Sequence, residues 1–251
     1  MSIGVEVIPS PEGDPEQAYL DEVGPVRALR IGGVANARDV GGLPAAGGRG
    51  SVRTGRLVRS ATLFGLTDEG AKTLADLGLR TVIDLRTPLE CEAEPDRVAD
   101  APGLADVTEV HVAVLKTLSE LDDLPPGASR DLYRYLVDTC GPGFVVALEH
   151  LAKPGVLPAL VHCLVGKDRT GLLVALLLEL LGVPRDAIVA DYVASNAGLG
   201  AILHTAVQAD VLEWTLALLD ERHGGALGYL AAHGLRAETI EALRAAFIEY
   251  E

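Results

Sequence analysis

Between residues 156 and 183 an apolar run, a short glycine-containing loop and a second apolar run follow one another without a break. Residues 156–162 (VLPALVH) have the length of a buried strand, and from Arg169 to about Leu181 the pattern is that of a buried helix. Gly182 and Pro184 end that helix, and Pro184 suits the first position of a following one, which runs to about Asn196. Strand, loop and helix in this order tightly limit the local geometry. Successive backbone N–H groups converge at the positive end of the helix, where an anion is held. The most apolar stretch, residues 172–183, spans 12 residues with Glu179 inside it, too short for a bilayer.

The loop itself reads Cys163-Leu164-Val165-Gly166-Lys167-Asp168-Arg169. Gly166 lets it curl, and Gly171 lets backbones pack closely in the first helical turn. The planar Arg169 guanidinium grips two oxygens of a phosphate or sulfate as a fork, which Lys cannot reproduce. Cys163 lies beneath that anion as a nucleophile, activated by the helix dipole, the loop amides and Arg169. A C-x5-R spacing alone proves little, because Cys91 and Arg97 share it. There the intervening residues include Glu92, Glu94 and Asp96, which repel an anion, and Pro95, which has no N–H. That second stretch is expected to be an exposed loop.

The rest of the chain alternates. Short β-like runs are expected at residues 27–31 and 56–59, a helix from the N-cap Thr67 to Leu77 with Gly78 ending it, and a strand at 80–85. Another strand is expected at 107–114, a loop at 121–128, and two helices near 131–139 and 143–152. The last fifty residues read as helices, including 238–250. This predicts an α/β fold, a single domain over residues 25–251 with a central, twisted, largely parallel sheet flanked by helices and a helical C-terminal third. Residues 1–24, acidic and proline-containing, are expected to form a loosely ordered arm.

Composition narrows the partners. A formal charge of −15 over 251 residues argues against nucleic acid, whose binders need clustered Lys and Arg. It does not exclude a small anion, since a local cluster of donors decides binding within about 8 Å at physiological salt. Three cysteines without a CxxC suit a reducing compartment better than a disulfide framework. No secretory signal or transmembrane segment is visible, so the cytoplasm is expected. No cofactor is expected, and no metal, because His162 and Cys163 are adjacent and the other His residues are scattered.

HCLVGKDRTG (162–171) resembles the HCxxGKDRTG phosphate-binding loop of cysteine-dependent protein tyrosine phosphatases. More narrowly, it resembles an atypical bacterial group, some of whose members also act on phosphoinositides. Asn36-Ala37-Arg38-Asp39-Val40-Gly41-Gly42 is similar to that group's N-x-R-D-x-G-G loop. Residues 59–86 are similar to its RS…LT…VIDLR stretch, and residues 191–196 to its DYxxSN helix. The resemblance spans about residues 30–200, in order.

It implies a phosphatase acting on phosphotyrosine, and on phosphoserine, phosphothreonine or phosphoinositides as further candidates, with inorganic phosphate released. It also implies a general acid at Asp168, inside the loop. The runner-up is Asp84, at the end of a strand, whose other reading is a salt bridge to Arg86. His162 is expected to order the loop through hydrogen bonds. For Thr170 two readings stand: a hydroxyl donated to the Cys163 sulfur, or a helix cap. For Lys167 they are a second phosphate contact or neutralisation of Asp168. Asn36, Arg38 and Asp39 either brace the loop, with Arg38 and Asp39 satisfying each other, or touch substrate. Asp191 and Asn196 read as structural. Residues 199–219, with Trp214, read as core helices or a cover over the cleft. A competing function is a silent phosphate-binding module. A nucleotide site is disfavoured, because no Ser or Thr follows Lys167.

Overall fold

The computed structural model describes residues 21, 23–24, 27–115, 129–199 and 206–250. The expected arm therefore lies almost wholly outside the described residues, and the loop at 121–128 entirely so. In chain order the elements are β1 (Arg38–Asp39), β2 (Pro44–Ala45), β3 (Gly50–Val52), β4 (Leu57–Ser60), α1 (Asp68–Asp76), β5 (Thr81–Asp84), α2 (Pro88–Ala93) and β6 (Thr108–His111). Then follow α3 (Ser129–Leu151), β7 (Ala159–His162), α4 (Arg169–Leu180), α5 (Arg185–Val193), α6 (Ser195–Leu199), α7 (Ala209–His223), α8 (Ala226–Ala232), α9 (Ala237–Phe247) and β8 (Ile248–Tyr250).

Five strands form the main sheet in the order β1-β4-β7-β5-β6. β4, β7, β5 and β6 run parallel, and β1 is antiparallel on the β4 edge. This is the expected α/β architecture, with helices on both faces. The pleat divides the side chains between two cores. Val58, Leu160 and Val82 lie side by side and join Ala71 and Leu74 of α1. Leu57, Ala159, Val161 and Ile83 join α3 and α4 on the other face. Every residue of α4 except Glu179 is buried, which is why that helix is apolar all round. The register also aligns Ser60, His162, Asp84 and His111 across the carboxyl ends of the four parallel strands. Ligands of open α/β sheets bind at that edge.

Several expected elements differ. The run at 27–31 forms only isolated bridges, Ala28 to Arg38 and Ile31 to Val34. The two helices around Gly141-Pro142-Gly143 are one, α3, because those glycines are contact points rather than breaks. A Cβ at Gly141 would lie 2.3 Å from His233, and one at Gly143 would lie 3.0 Å from the Val114 backbone. Pro184 is the N-cap of α5 rather than its first residue, and the helix ends before Asn196, with α6 following. Helix α9 stops at Phe247, since residues 248–250 pair with β3 in a second, three-stranded sheet, β2-β3-β8. The described part of 199–219 does core work. Val211, Leu212, Leu216 and Leu219 of α7 are buried, and Trp214 is flanked by Arg130 and Arg134 of α3.

Candidate active site

The loop between β7 and α4 is anchored by its carbonyl groups. Leu164 O accepts from Thr62 N at 3.1 Å. Val165 O and Gly166 O accept from Asn36 Nδ2 at 3.3 and 3.2 Å, and Gly166 O also accepts from Arg59 Nη2 at 2.9 Å. In a trans peptide the N–H points opposite to the C=O. Tying the carbonyls of 164, 165 and 166 outward therefore turns the N–H groups of 165, 166 and 167 inward. Gly166 N–H donates to Cys163 Sγ at 3.3 Å, so the buried sulfur lies on the floor of that ring of amides. The backbone at Gly166 has φ +73°, and a Cβ there would lie 2.2 Å from Ser60 O. Only glycine fits.

Arg169 stands at the first turn of α4, nearly buried, and its two terminal nitrogens donate to Glu90 at 2.6 and 2.7 Å. Burial opposes charge on Arg169, yet the Glu90 hydrogen bonds and the Cys163 charge hold its pKa above the ordinary value. Burial likewise pushes the Glu90 carboxyl up, and Arg169 overcomes it and holds that pKa low. Glu90 belongs to α2, which runs on into the 91–97 stretch expected to be an exposed loop: residues 91–93 are helical, and 94–97 follow as loop. Pro88 opens a helix there, and Thr87 and Glu90 form a reciprocal capping box. The T-x-x-E spacing with proline at the first position was the available signal for it. Cys91, on the same helix, faces away from any role as a nucleophile: burial and Asp84 push its thiol up to about 12.

Asp168 precedes α4 in helical conformation and makes no capping bond. Lys167 Nζ lies 2.9 Å from its Oδ1 and 2.8 Å from its Oδ2, so Lys167 does neutralise Asp168 in this state. Asp84 takes the salt-bridge reading. Arg86 Nε and Nη2 both donate to it, at 2.8 to 3.0 Å. Burial raises its pKa, but Arg86 and His162 outweigh that and bring it down to about 2. His162 is fully buried. Nδ1 lies 3.1 Å from Cys163 O, while Nε2 lies 3.1 Å from Asp96 Oδ2, outside hydrogen-bonding geometry. Asp84, Asp96 and His162 bring three metal-ligand atoms within 4.8 Å, but Arg86 Nη2 already takes both carboxylates. The Thr170 hydroxyl is buried without a hydrogen-bond partner among the described residues, so neither reading for it is realised here.

Behind the loop, Arg38 and Asp39 do not satisfy each other as expected. Asp39 accepts from the backbone N–H of Gly41 and Gly55, closing its own turn. Arg38 donates to Asn36 Oδ1, Ser195 Oγ and Asp191. Asp191 is the hub, fully buried between Arg27, Arg38 and Arg59. Burial raises its pKa, but the three guanidiniums hold it far below the carboxylate range. Arg59 in turn is brought down to about 10 by burial and by Arg38, with Asp191 opposing. Asn36 thus braces the loop directly, and Arg38 holds Asn36 from behind while joining it to Asp191. Asn196 braces elsewhere, exchanging two hydrogen bonds with Val207.

Residues 29–249 match the model of the tyrosine phosphatase family. The chain belongs to that family. It is 30% identical over 269 residues to the triple specificity protein phosphatase PtpB of Mycobacterium tuberculosis, covering 84% of this chain and 96% of that one. It is 29% identical over 216 residues to a tyrosine-protein phosphatase of Nostoc commune, covering 74% and 72%. The loop around Cys163 is accordingly the candidate active site of a phosphatase. Among the described residues no helix is long and apolar enough to cross a membrane.

Proposed function

We propose that this phosphatase works through Cys163, hydrolysing phosphotyrosine through a thiophosphate intermediate. The observation that carries the reading is the Cys163 sulfur beneath inward-turned amides, with Arg169 fixed beside it by Glu90. In the first step the thiolate attacks phosphorus in line, an S–P bond forms, and the ester oxygen leaves with the proton of Asp168. In the second, water attacks phosphorus and gives a proton back to Asp168. The S–P bond breaks, and inorganic phosphate departs. The N–H groups of 165, 166 and 167 and the Arg169 fork stabilise the equatorial oxygens in both transition states. Lys167, released from Asp168, is the contact for a further phosphate on an inositol ring. The triple specificity of the mycobacterial relative PtpB supports a range wider than phosphotyrosine. The compartment we propose is the cytoplasm, since the chemistry needs Cys163 as a reduced thiol, and Cys163 forms no disulfide among the described residues.

The test is turnover of an aryl phosphate, phosphotyrosine, phosphoserine and a phosphoinositide by the wild type and Cys163→Ser. Turnover lost in the variant, with radiolabelled phosphate trapped on acid-quenched wild type, supports the reading. Equal turnover in the two proteins removes Cys163 as the nucleophile, and phosphate binding without turnover in both leaves only a phosphate-recognition module.

A further inference from the structure

We propose that Tyr133 is the positioning residue for Asp168: its O–H holds Oδ1, leaving Oδ2 to carry the proton to the leaving group. The proposal rests on the reading of Asp168 as general acid and adds a residue from a distant helix. Tyr133 lies on α3, fully buried, with its hydroxyl 3.3 Å from Asp168 Oδ1 and 2.7 Å from the Tyr192 hydroxyl. Counting hydrogens fixes the direction of this chain. Each phenol has one hydrogen, and an ionised carboxylate has none to give. The Tyr133 hydrogen therefore goes to Asp168, and the Tyr192 hydrogen goes to Tyr133. Burial and the Asp168 charge hold the Tyr133 pKa well above its ordinary value, so the phenol stays a donor. The two rings meet edge to face, with centroids 6.1 Å apart. Tyr192 is seated in turn against the loop helix at Gly171, where a Cβ would lie 3.1 Å from its ring.

What makes the contact matter is the absence of other fixed anchors on Asp168. It makes no helix-capping bond, and its remaining side-chain partner among the described residues is Lys167. An anionic phosphate in the loop competes for Lys167 and, by its own charge, favours a proton on the neighbouring carboxyl. Once Lys167 moves to the phosphate, Tyr133 is what still orients Asp168. At 3.3 Å the bond is long for an O–H donated to a carboxylate, as expected while Lys167 pulls on both oxygens, and it tightens when that pull is removed.

Tyr133→Phe removes the hydroxyl and keeps the ring. A packing residue would then cost activity evenly across substrates, or not at all. A positioning residue costs most where the leaving group needs a proton. The experiment compares kcat/KM for phenyl phosphate, a poor leaving group, and 4-nitrophenyl phosphate, a good one, in four proteins: wild type, Tyr133→Phe, Asp168→Asn and the double variant. We expect Tyr133→Phe to lose about tenfold on phenyl phosphate and less than about twofold on 4-nitrophenyl phosphate. Asp168→Asn should lose more, in the same pattern, with no further loss in the double variant. Tyr192→Phe, one bond further away, should show the same pattern more weakly, which guards against a folding artefact in Tyr133→Phe. An even loss in Tyr133→Phe, or losses that multiply in the double variant, overturn the proposal while leaving Asp168 in place. If Asp168→Asn itself shows no leaving-group dependence, the acid assignment fails and this inference fails with it.

Discussion

Arg169 keeps its charge in a place where burial opposes it, and Glu90 is the reason. The pair is bidentate and nearly dry, so the fork is aimed before any phosphate arrives. Glu90→Gln keeps an oxygen for the Thr87 capping bonds but loses the charge and one acceptor for Arg169. We expect kcat/KM on an aryl phosphate to fall by about ten- to a hundredfold, with the far-ultraviolet circular dichroism unchanged. An unchanged kcat/KM would mean that Arg169 finds its position without Glu90. A second prediction belongs to Gly166, where positive φ and the Ser60 carbonyl exclude any side chain. Gly166→Ala should lower kcat/KM by more than about a hundredfold, because the amide aimed at the sulfur moves, and should cost about 1–3 kcal/mol of stability in urea unfolding.

The elements are held behind the loop by one carboxylate. Asp191, on α5, joins Arg27, Arg38 of β1 and Arg59 of β4, and the last of these supports Gly166 directly. Removing the hub leaves three guanidiniums crowded in a buried space. Asp191→Asn should therefore destabilise the fold by about 3–5 kcal/mol, measured by urea unfolding, rather than merely slow turnover. How much of this was legible in the sequence depends on distance along the chain. The β7–loop–α4 unit is local, and its apolar runs and glycines were readable at once. The Asp191 hub links residues more than 130 apart, and Arg169 meets Glu90 across 79 residues, so no spacing rule could pair them. The same limit explains α3 and β8. Gly141 and Gly143 look like helix breakers until His233 and Val114 are packed on them, and residues 248–250 look helical until β3 pairs with them. The α2 helix is different: its capping box was local and readable, and only its buried partner was not.

For the molecule as a whole, the buried carboxylates set the acid limit of stability. Against burial, Arg86 and His162 bring Asp84 down to about 2 from an ordinary value of 3.8, while Glu90 and Asp191 are also held below their ordinary values. A carboxylate with a lowered folded pKa stabilises the native state above its unfolded pKa. As pH falls, the unfolded chain takes up the proton first, and the contribution disappears as pH passes through the folded value. For Asp84 the shift corresponds to about 2 kcal/mol, lost between about pH 4 and pH 2. The alkaline side has the opposite sign. Cys91 is raised to about 12 and the buried Tyr133 and Tyr192 also lie high, so the unfolded chain loses those protons first and stability falls above about pH 9. Urea unfolding from pH 7 down to pH 2 should show a steep loss beginning near pH 4. Asp84→Asn should be less stable than the wild type at pH 7, because Asp96 is then the one carboxylate left to Arg86 among the described residues, and should lose less on acidification by about 2 kcal/mol. Parallel acid limbs in the two proteins would place the proton uptake elsewhere in the fold.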